Sequence, residues 1–485
     1  MIPTSLKHTP LPAVPTKVAP RVCIIGAGAA GISMAKTLLE HGVEFDCFER
    51  ESELGGLWAE GESDYAVRYR SLHLNSSKNQ IRFRKFPFPA CAPDFPSSAQ
   101  VAAYLGAYAR HFGVTDHVQL GRDVTDIQQT RSGGWSVSID AEEQRYYDVL
   151  LLAIGHHSTP KLPDNAGRGF GGEILHSHDV RDAVPFAGRN VLVVGFGNSA
   201  ADIACMASST AARTYISTRR GAHVVPKYLF GRPFDTLPAP LWPRALRWGW
   251  YGLATRLSVG PLEHYGLPTP EHRFGSAAVT ISSDLLTRIG HGDIQPRPGI
   301  AELHEGSVTF ADGQTDEIDT IIYCTGYAHA APFLTRRGLG PSAGGYRLYE
   351  QIWDPRFSGL AHVGLVQPLG SFFPVFESQA RLLANWIVGE YALPDQETML
   401  EEADRAIRMR QRRYTASERH VLQIDEFDYR RALKRERRRG ARRARSERRK
   451  ARRMPEAAPA SSEGQTEAAP QRRAPAVEAL HRRSS

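Results

Sequence analysis

Residues 21–50 read RVCIIGAGAAGISMAKTLLEHGVEFDCFER, and this stretch decides the fold. An apolar run, Val22–Ile25, leads into the glycine turn GAGAAG; an amphipathic segment and a second apolar run at 43–48 follow. Runs of this length and order predict strand, turn, helix and strand. An acidic residue, Glu49, comes directly after the second strand. The order is typical of the first half of a nucleotide-binding α/β domain.

The three glycines of the turn have different physical tasks. Gly26 makes the tight turn, Gly28 lets the backbone approach a pyrophosphate, and Gly31 lets the helix pack closely on the strand. The pyrophosphate then meets the helix N-terminus, where free N–H groups and the helix dipole favour anions. The spacing of Glu49 suits a carboxylate that accepts hydrogen bonds from a ribose 2′-hydroxyl. The unit therefore predicts FAD or NAD.

A second unit of the same kind starts at residue 190. Its strand is followed by the turn GFGNSA, a helix and a strand that ends at residue 217. Here Thr218-Arg219-Arg220 replaces the acid, and guanidinium groups suit a ribose 2′-phosphate that a carboxylate would repel. We expect Arg219 to bind this phosphate, with Arg220 as a second contact; the alternative is a solvated strand end. The unit predicts an NADP site formed by Gly195, Gly197, Asn198, Ser199, Ala200, Arg219 and Arg220.

Length and composition limit the possible classes of protein. The 485 residues suffice for two or three domains. No window approaches 18 apolar residues, so we expect no membrane span. Five cysteines occur without a CxxC pair, which argues against a disulfide framework, a zinc or other metal site and a dithiol reductase. The same cysteine usage suits a cytoplasmic protein.

The positive charge is concentrated near the C-terminus. Residues 430–453 carry fifteen Lys and Arg against two Glu; because the whole chain has a net charge of +8, the remainder is near −5. This run suits a solvated helical extension, a segment with weak polyanion contacts or an anchor to acidic lipids. No aromatic residues are interleaved in it to read bases, so we expect no specific nucleic-acid function.

Four further sequence elements accompany the two glycine turns. They are GGLW at 55–58, LNSSK at 74–78, FGGEILH at 170–176 and CTGY at 324–327. Together with the turns they resemble the flavin-containing monooxygenase family, the single-component enzymes that depend on FAD and NADPH. The resemblance extends over about residues 21–394. Residues 229–262, rich in Pro, Trp and Leu, show no clear period.

The resemblance implies an α/β fold with two dinucleotide-binding, Rossmann-like domains. The FAD domain would be discontinuous, at 20–165 and 315–430, with the NADP domain inserted at 166–314. Residues 1–20 would be a disordered lead-in, and 431–485 a basic and then Pro/Ala-rich disordered tail. Of the signature residues, His176 would be structural. The family motifs add further cofactor-binding residues: Gly56, Leu57, Trp58, Thr325 and Gly326.

The resemblance also implies a reaction. NADPH would reduce FAD, O2 would add to it, and the resulting flavin hydroperoxide would oxygenate a soft nucleophile at nitrogen or sulfur, as in dimethylaniline N-oxidation. Asn75 would be the catalytic amide, because an amide donates a hydrogen bond without a titratable proton; the alternative is a loop cap. Water must be excluded, since it would discharge the intermediate as peroxide.

Two other functions stay open at this point. One is Baeyer–Villiger oxidation of a ketone, and the other is a polyanion-tethered redox binding protein without oxygenation. The family signature usually ends in Tyr, Phe or Trp, whereas Val180 stands at that position. The departure weakens any choice of substrate class. The sequence leaves the substrate and the oligomeric state open, a homodimer included.

Overall fold

A computed structural model describes residues 19–59, 69–237, 242–328, 332–341, 346–414 and 422–453. The predicted lead-in and the Pro/Ala-rich end of the chain therefore lie almost wholly outside the described residues. The helices in the described part are α1 Ala29–Glu40, α2 Lys78–Ile81, α3 Ser98–His111, α4 Asn198–Ala207, α5 Arg244–Val259, α6 Leu285–His291, α7 Pro332–Arg336, α8 Phe373–Ile387, α9 Gln396–Arg413 and α10 Glu426–Arg453.

The strands are short, most of them two to five residues long. In chain order they are β1 Val22–Ile25, β2 Phe45–Phe48, β3 Val118–Gln119, β4 Val124–Gln129, β5 Trp135–Ile139, β6 Glu143–Tyr147, β7 Val149–Leu152, β8 Thr159–Pro160, β9 Glu173–His176, β10 Asn190–Val194, β11 Arg213–Ser217, β12 Val224–Val225, β13 Tyr228–Leu229, β14 Arg232–Pro233, β15 Thr280–Ile281, β16 Ile294–Arg297, β17 Ile300–Leu303, β18 Ser307–Phe310, β19 Thr315–Glu317, β20 Thr320–Tyr323, β21 Tyr327–Ala328, β22 Leu360–His362, β23 Gln367–Leu369 and β24 Gln423–Asp425.

The first predicted unit lies in a parallel sheet with strand order β22-β7-β1-β2-β3. β1 and β7 are buried along their whole length, as expected for a sheet covered on both faces. The helix predicted after the glycine turn is α1, which packs against α8. The predicted strand, turn, helix and strand are thus confirmed.

The second unit lies in another parallel sheet, with strand order β16-β11-β10-β20-β9. Its first strand, β10, has the predicted bounds. The predicted NADP domain, however, stops at residue 314. Because β20 pairs with β10, the second sheet extends past this boundary and takes a strand that we had assigned to the FAD domain.

Aromatic side chains attach the residues that follow LNSSK to the first core. Phe83 lies 4.2 Å from Tyr108 and 4.8 Å from Phe373, measured between ring centroids. The Tyr104 hydroxyl accepts a hydrogen bond from the Phe83 amide at 2.9 Å and donates one to the Phe86 carbonyl at 2.6 Å. Phe83 and Phe86 therefore fix the residues after LNSSK on α3 and α8.

Helix α5 lies in the stretch where the sequence shows no period. Its buried face contains an arginine, Arg247, beside Ala254 and Thr255, so the usual apolar repeat is absent. Arg247 Nη2 lies 2.8 and 2.6 Å from the two carboxylate oxygens of Asp425, and both side chains are 1% exposed. Trp248 donates to the same carboxylate at 2.9 Å. This buried pair joins α5 to the start of α10.

The prediction of disorder in the tail is wrong for residues 431–444, because this part of α10 packs on the rest of the protein. Leu433 and Glu436 are buried, and a Cβ at Gly440 would lie 2.0 Å from the Tyr391 ring. Tyr391 donates to Glu436 at 3.1 Å, and Arg443 forms an ion pair with the same carboxylate. Over the part of the chain described, no helix is both long and apolar enough to cross a membrane.

A chain of buried hydrogen bonds runs from the first sheet to α10. The Gly364 amide donates to Gln379 Oε1 at 2.8 Å, and Gln379 Nε2 donates to the Tyr429 hydroxyl at 2.9 Å. Tyr429 in turn donates to the Glu350 carbonyl at 2.6 Å. Glu350 and Gln351 have backbone φ values of +51° and +56°, which residues other than glycine rarely adopt. Helices α8 and α10 therefore hold this turn.

Replacing Asp425 by alanine should strongly destabilise the protein, because the Arg247 guanidinium would stay buried without its carboxylate. We expect a loss of about 3–5 kcal/mol in the free energy of unfolding. Urea denaturation would measure this loss as a lower midpoint of unfolding, with the m value unchanged.

The matched control is Asp404→Ala. Asp404 also binds an arginine through both carboxylate oxygens, Arg347 at 2.6 and 2.5 Å, but the two side chains are 36% and 43% exposed. Such a pair contributes at most about 1 kcal/mol. Equal, small effects of both substitutions would contradict a structural role for the Arg247–Asp425 pair.

Candidate active site

At the first glycine turn, three backbone segments approach so closely that no side chain fits. Gly26 has φ +98°, and a Cβ on it would lie 2.7 Å from the Ala153 carbonyl oxygen. A Cβ on Gly31 would lie 1.9 Å from the Gly26 carbonyl oxygen. The turn therefore requires glycine at both positions. It leaves the N-terminus of α1 open to an anion, since Gly28 offers no side-chain cap.

The carboxylate of Glu49 closes this turn from the side of β2. Its Oε2 accepts the Ala27 amide hydrogen at 2.6 Å and its Oε1 accepts that of Glu51 at 3.1 Å. Burial raises the pKa of Glu49, and the two amide hydrogen bonds act in the opposite direction. A carboxylate offers about four acceptor positions. Lone pairs thus remain for a ribose hydroxyl.

The GGLW element packs directly on the first turn. The Gly55 amide donates to the Ala27 carbonyl at 3.1 Å. Gly56 has φ +58°, and a Cβ on it would lie 3.0 Å from the Gly28 Cα. The two glycines of this element therefore allow a second backbone to lie across the first turn, and they bring Leu57 and Trp58 to the wall of a large cavity.

The second glycine turn repeats this geometry. Gly195 has φ +131°, and a Cβ on it would lie 2.7 Å from the Cys324 carbonyl oxygen. Asn198 Oδ1 accepts the Ile281 amide hydrogen at 2.7 Å. The Asn198 side chain therefore fixes the turn against β15, a role that the motif alone does not reveal.

Arg219 and Arg220 lie exposed after β11, and both line this large cavity. A Cβ on Gly299 would lie 2.7 Å from Arg219 Cγ. Glycine at this position therefore lets the aliphatic part of the Arg219 side chain lie across the connection between β16 and β17.

A cavity of about 2300 Å³ joins the two turns. A pocket for one small ligand usually measures about 300–1,000 Å³, so this cavity has room for more than one. Gly31 and Ala200 lie behind its wall, in contact with the turn backbone and the second core. The remaining predicted site residues line it: Gly26, Gly28, Glu49, Gly56, Leu57, Trp58, Asn75, Gly195, Gly197, Asn198, Ser199, Arg219, Arg220, Thr325 and Gly326.

Asn75 lines this cavity from the LNSSK loop. Its side-chain oxygen is buried and has no hydrogen-bond partner among the described residues. A buried polar atom without a partner is costly in a folded protein. The amide is thus suited to a bound molecule rather than to a loop cap.

The signature histidine, His176, fixes the connection between the two sheets. Its Nδ1 accepts the His178 amide hydrogen at 3.1 Å, so Nε2 carries the proton that is donated to the Gly326 carbonyl at 3.0 Å. Burial lowers the pKa of His176, which favours this neutral form. The Lys161 backbone amide also donates to the Gly326 carbonyl at 3.0 Å. This geometry gives His176 a structural role.

Sequence reasoning missed His362, at the end of β22. Its side chain is 2% exposed, and its Nε2 has no partner among the described residues although the residue lines the cavity. Burial lowers the pKa of His362 to about 4. Only its position at the end of a short apolar strand marks it in the sequence. Val180, the position where the signature departs from the usual aromatic residue, is buried in the second core.

Two dinucleotide-binding turns that share one cavity define a flavoprotein that takes electrons from a nicotinamide cofactor. The profile of the family described as Flavin-binding monooxygenase-like matches residues 19–436. The chain belongs to this family. It is an FAD- and NADPH-dependent flavin monooxygenase, as the sequence predicted.

Individual relatives cover most of the chain. Flavin-containing monooxygenase 5 of Oryctolagus cuniculus is 34% identical over 429 residues, which are 84% of this chain and 80% of that protein. Dimethylaniline monooxygenase 2 (N-oxide-forming) of Mus musculus is 32% identical over 438 residues, covering 85% and 81%. The structure of S-allyl-L-cysteine S-oxygenase from Allium sativum matches with a TM-score of 0.65 and 23% identity, covering 90% of this chain and 94% of that one. This likeness confirms the predicted fold class.

Arg219→Ala should raise the Michaelis constant for NADPH at least ~10-fold, because a hydrogen bond to a charged group contributes about 1.5–3 kcal/mol. The constant for NADH should change little, since NADH carries no 2′-phosphate. Steady-state kinetics with both cofactors would measure the two values. Arg220→Ala serves as the comparison and should have the smaller effect. An equal loss with NADPH and NADH would show that Arg219 does not bind the 2′-phosphate.

Proposed function

We propose that this protein oxygenates a soft nucleophile, an amine nitrogen or a sulfide sulfur. The observation that carries the proposal is the side-chain amide of Asn75, which lies at a cavity shared by both dinucleotide turns and whose oxygen has no hydrogen-bond partner within the described part of the chain. The murine relative named as N-oxide-forming supports the nitrogen half of the proposal. The garlic S-oxygenase shares the fold.

The two turns and the residues around them would hold the cofactors. The N-terminal amides of α1 would hold the FAD pyrophosphate, and the Glu49 carboxylate would accept hydrogen bonds from the FAD ribose. The N-terminal amides of α4 would hold the NADPH pyrophosphate, and Arg219 would bind the 2′-phosphate. Bound FAD, reduced by NADPH, supplies the activation of O2. The protein itself would orient the two cofactors and form hydrogen bonds to them.

Part of the cavity wall is apolar and suited to excluding water. Apolar side chains from the segment before Asn75, from α2 and from the start of α8 are among the lining residues: Leu72, Ile81, Phe372, Phe373 and Phe376. A dry site strengthens each hydrogen bond to developing charge and prevents side reactions. Asn75 would donate from its Nδ2 to the activated oxygen, while its amide group holds no proton that titrates near neutral pH.

We place the protein in the cytoplasm, because Cys23, Cys47, Cys91, Cys205 and Cys324 are all free thiols. The exposed face of α10 carries Lys434, Arg438 and Arg442, and we propose that it makes weak contacts with polyanions. The substrate is a small molecule, and O2 is the second substrate.

Oxygen-18 labelling tests the proposed function. The holoenzyme, supplied with NADPH and ¹⁸O2, is given N,N-dimethylaniline, methyl phenyl sulfide and cyclohexanone in separate reactions. We expect the N-oxide or the sulfoxide to carry one ¹⁸O atom, at a stoichiometry near one product per NADPH.

Mass spectrometry of the products and an NADPH assay measure both quantities. A labelled lactone with no labelled amine or sulfide product would replace the proposal by ketone oxidation. NADPH consumption with peroxide as the sole product of all three reactions would contradict oxygenation of these classes.

A further inference from the structure

The loop that carries Asn75 is held on both sides by its own half of the protein. The Leu74 amide donates to the Pro96 carbonyl at 2.9 Å, and the Lys78 amide donates to the Asp94 carbonyl at 2.7 Å. Lys78 Nζ also donates to the Ala90 carbonyl at 3.1 Å. These bonds fix the two ends of the loop.

The middle of the loop is bound by a residue distant in sequence. The Ser77 amide donates to Asp235 Oδ2 at 2.7 Å, across 158 residues. Asp235 lies in the short 3-10 helix Phe234–Thr236, beyond the second glycine turn in sequence. Ser77 is 1% exposed, so water does not compete for this hydrogen bond.

Asp235 is unusual for a carboxylate in a structural contact. Its second oxygen, Oδ1, is buried and has no partner among the described residues. Burial raises the pKa of Asp235, which its hydrogen bond from Ser77 partly offsets. A carboxylate half-satisfied in a buried place costs stability, and such costs concentrate at functional sites.

We propose that Asp235 is a positioning residue, which sets the place of the Asn75 amide in the cavity through the Ser77 backbone. Asn75 and Ser77 are two residues apart in one loop, so a shift of the Ser77 amide moves Asn75 with it. An active-site group displaced by about 1 Å can lose a large part of its effect. The inference rests on the proposed role of Asn75 in oxygenation.

Asp235→Ala removes the acceptor, and Ser77→Pro removes the donor. Ser77 has φ −66°, the value at which proline is locked, so the backbone at residue 77 already has the required angle. Ser77→Ala is the matched control, because it keeps the amide hydrogen and deletes only the hydroxyl. Asp235→Asn keeps an acceptor oxygen of nearly the same shape and should retain most of the function.

The first readout is coupling, the ratio of oxygenated product to NADPH consumed, with peroxide measured in parallel. We expect Asp235→Ala and Ser77→Pro to lower coupling about fivefold, the effect of one ordinary hydrogen bond. FAD content and the Michaelis constant for NADPH should stay near wild type. Ser77→Ala and Asp235→Asn should stay within about twofold of wild type.

A double-mutant cycle separates positioning from general weakening. Asn75→Leu should itself uncouple the enzyme, and Asp235→Ala should add nothing in the Asn75→Leu background, because Asp235 acts through Asn75. If the two residues acted independently, the double mutant would instead lose coupling by the product of the two single-mutant factors.

A readout without turnover completes the test. Hydrogen–deuterium exchange of a peptide that covers residues 70–82, in the flavin-loaded protein without substrate, should be faster in Asp235→Ala than in wild type and unchanged in Ser77→Ala. Unchanged exchange in Asp235→Ala would overturn the positioning role.

The possible failures are distinguishable. Normal coupling in Asn75→Leu would overturn both the proposed role of Asn75 and this inference. An uncoupled Asn75→Leu together with well-coupled Asp235→Ala and Ser77→Pro would overturn the inference alone. If Asp235→Ala loses FAD or does not fold, the inference is tested by comparing Ser77→Pro with Ser77→Ala. Equal coupling in these two variants would overturn the inference.

Discussion

The architecture depends on one steric constraint: at two places, only a hydrogen atom fits between three backbone segments. At the first, Gly31 lies against the Gly26 carbonyl and Gly26 against that of Ala153. This contact brings α1, β1 and the end of β7 to one point and leaves the helix N-terminus open. Gly195 makes the equivalent approach to Cys324 in the second sheet. The large cavity exists because both turns open toward it.

Each half of the protein is completed by contacts from the other. The Tyr69 hydroxyl donates to Asp202 on α4 at 2.6 Å, and burial raises the pKa of Asp202 to about 6. The Arg70 amide donates to the Arg181 carbonyl at 2.8 Å. The loop that carries Asn75 is therefore built against the second unit as much as against the first. Contacts of this kind fix the position of the first dinucleotide unit relative to the second.

The sequence predicts the parts of this structure that follow from local pattern. The glycine turns, their strands and helices and the position of Glu49 follow from spacing, whereas the departure at Val180 follows from the resemblance to the family. What it does not predict rests on residues far apart or on unusual buried faces. Helix α5 buries Arg247 and α10 buries Glu436, so neither shows an apolar repeat. The contact of Ser77 with Asp235 and the burial of His362 depend on tertiary packing, and the pairing of β20 with β10 moves a domain boundary for the same reason.

The order of strands in the first sheet has a consequence for how the protein is made. β22, which closes that sheet beside β7, comes from residues 360–362, and the turn at Glu350 is held by Tyr429 on α10. The second sheet, by contrast, takes all its strands from residues 173–323. During synthesis on the ribosome, the inserted half can finish folding while the N-terminal half still lacks its last strand and its closing helices. The half that begins the chain is thus the last to be completed.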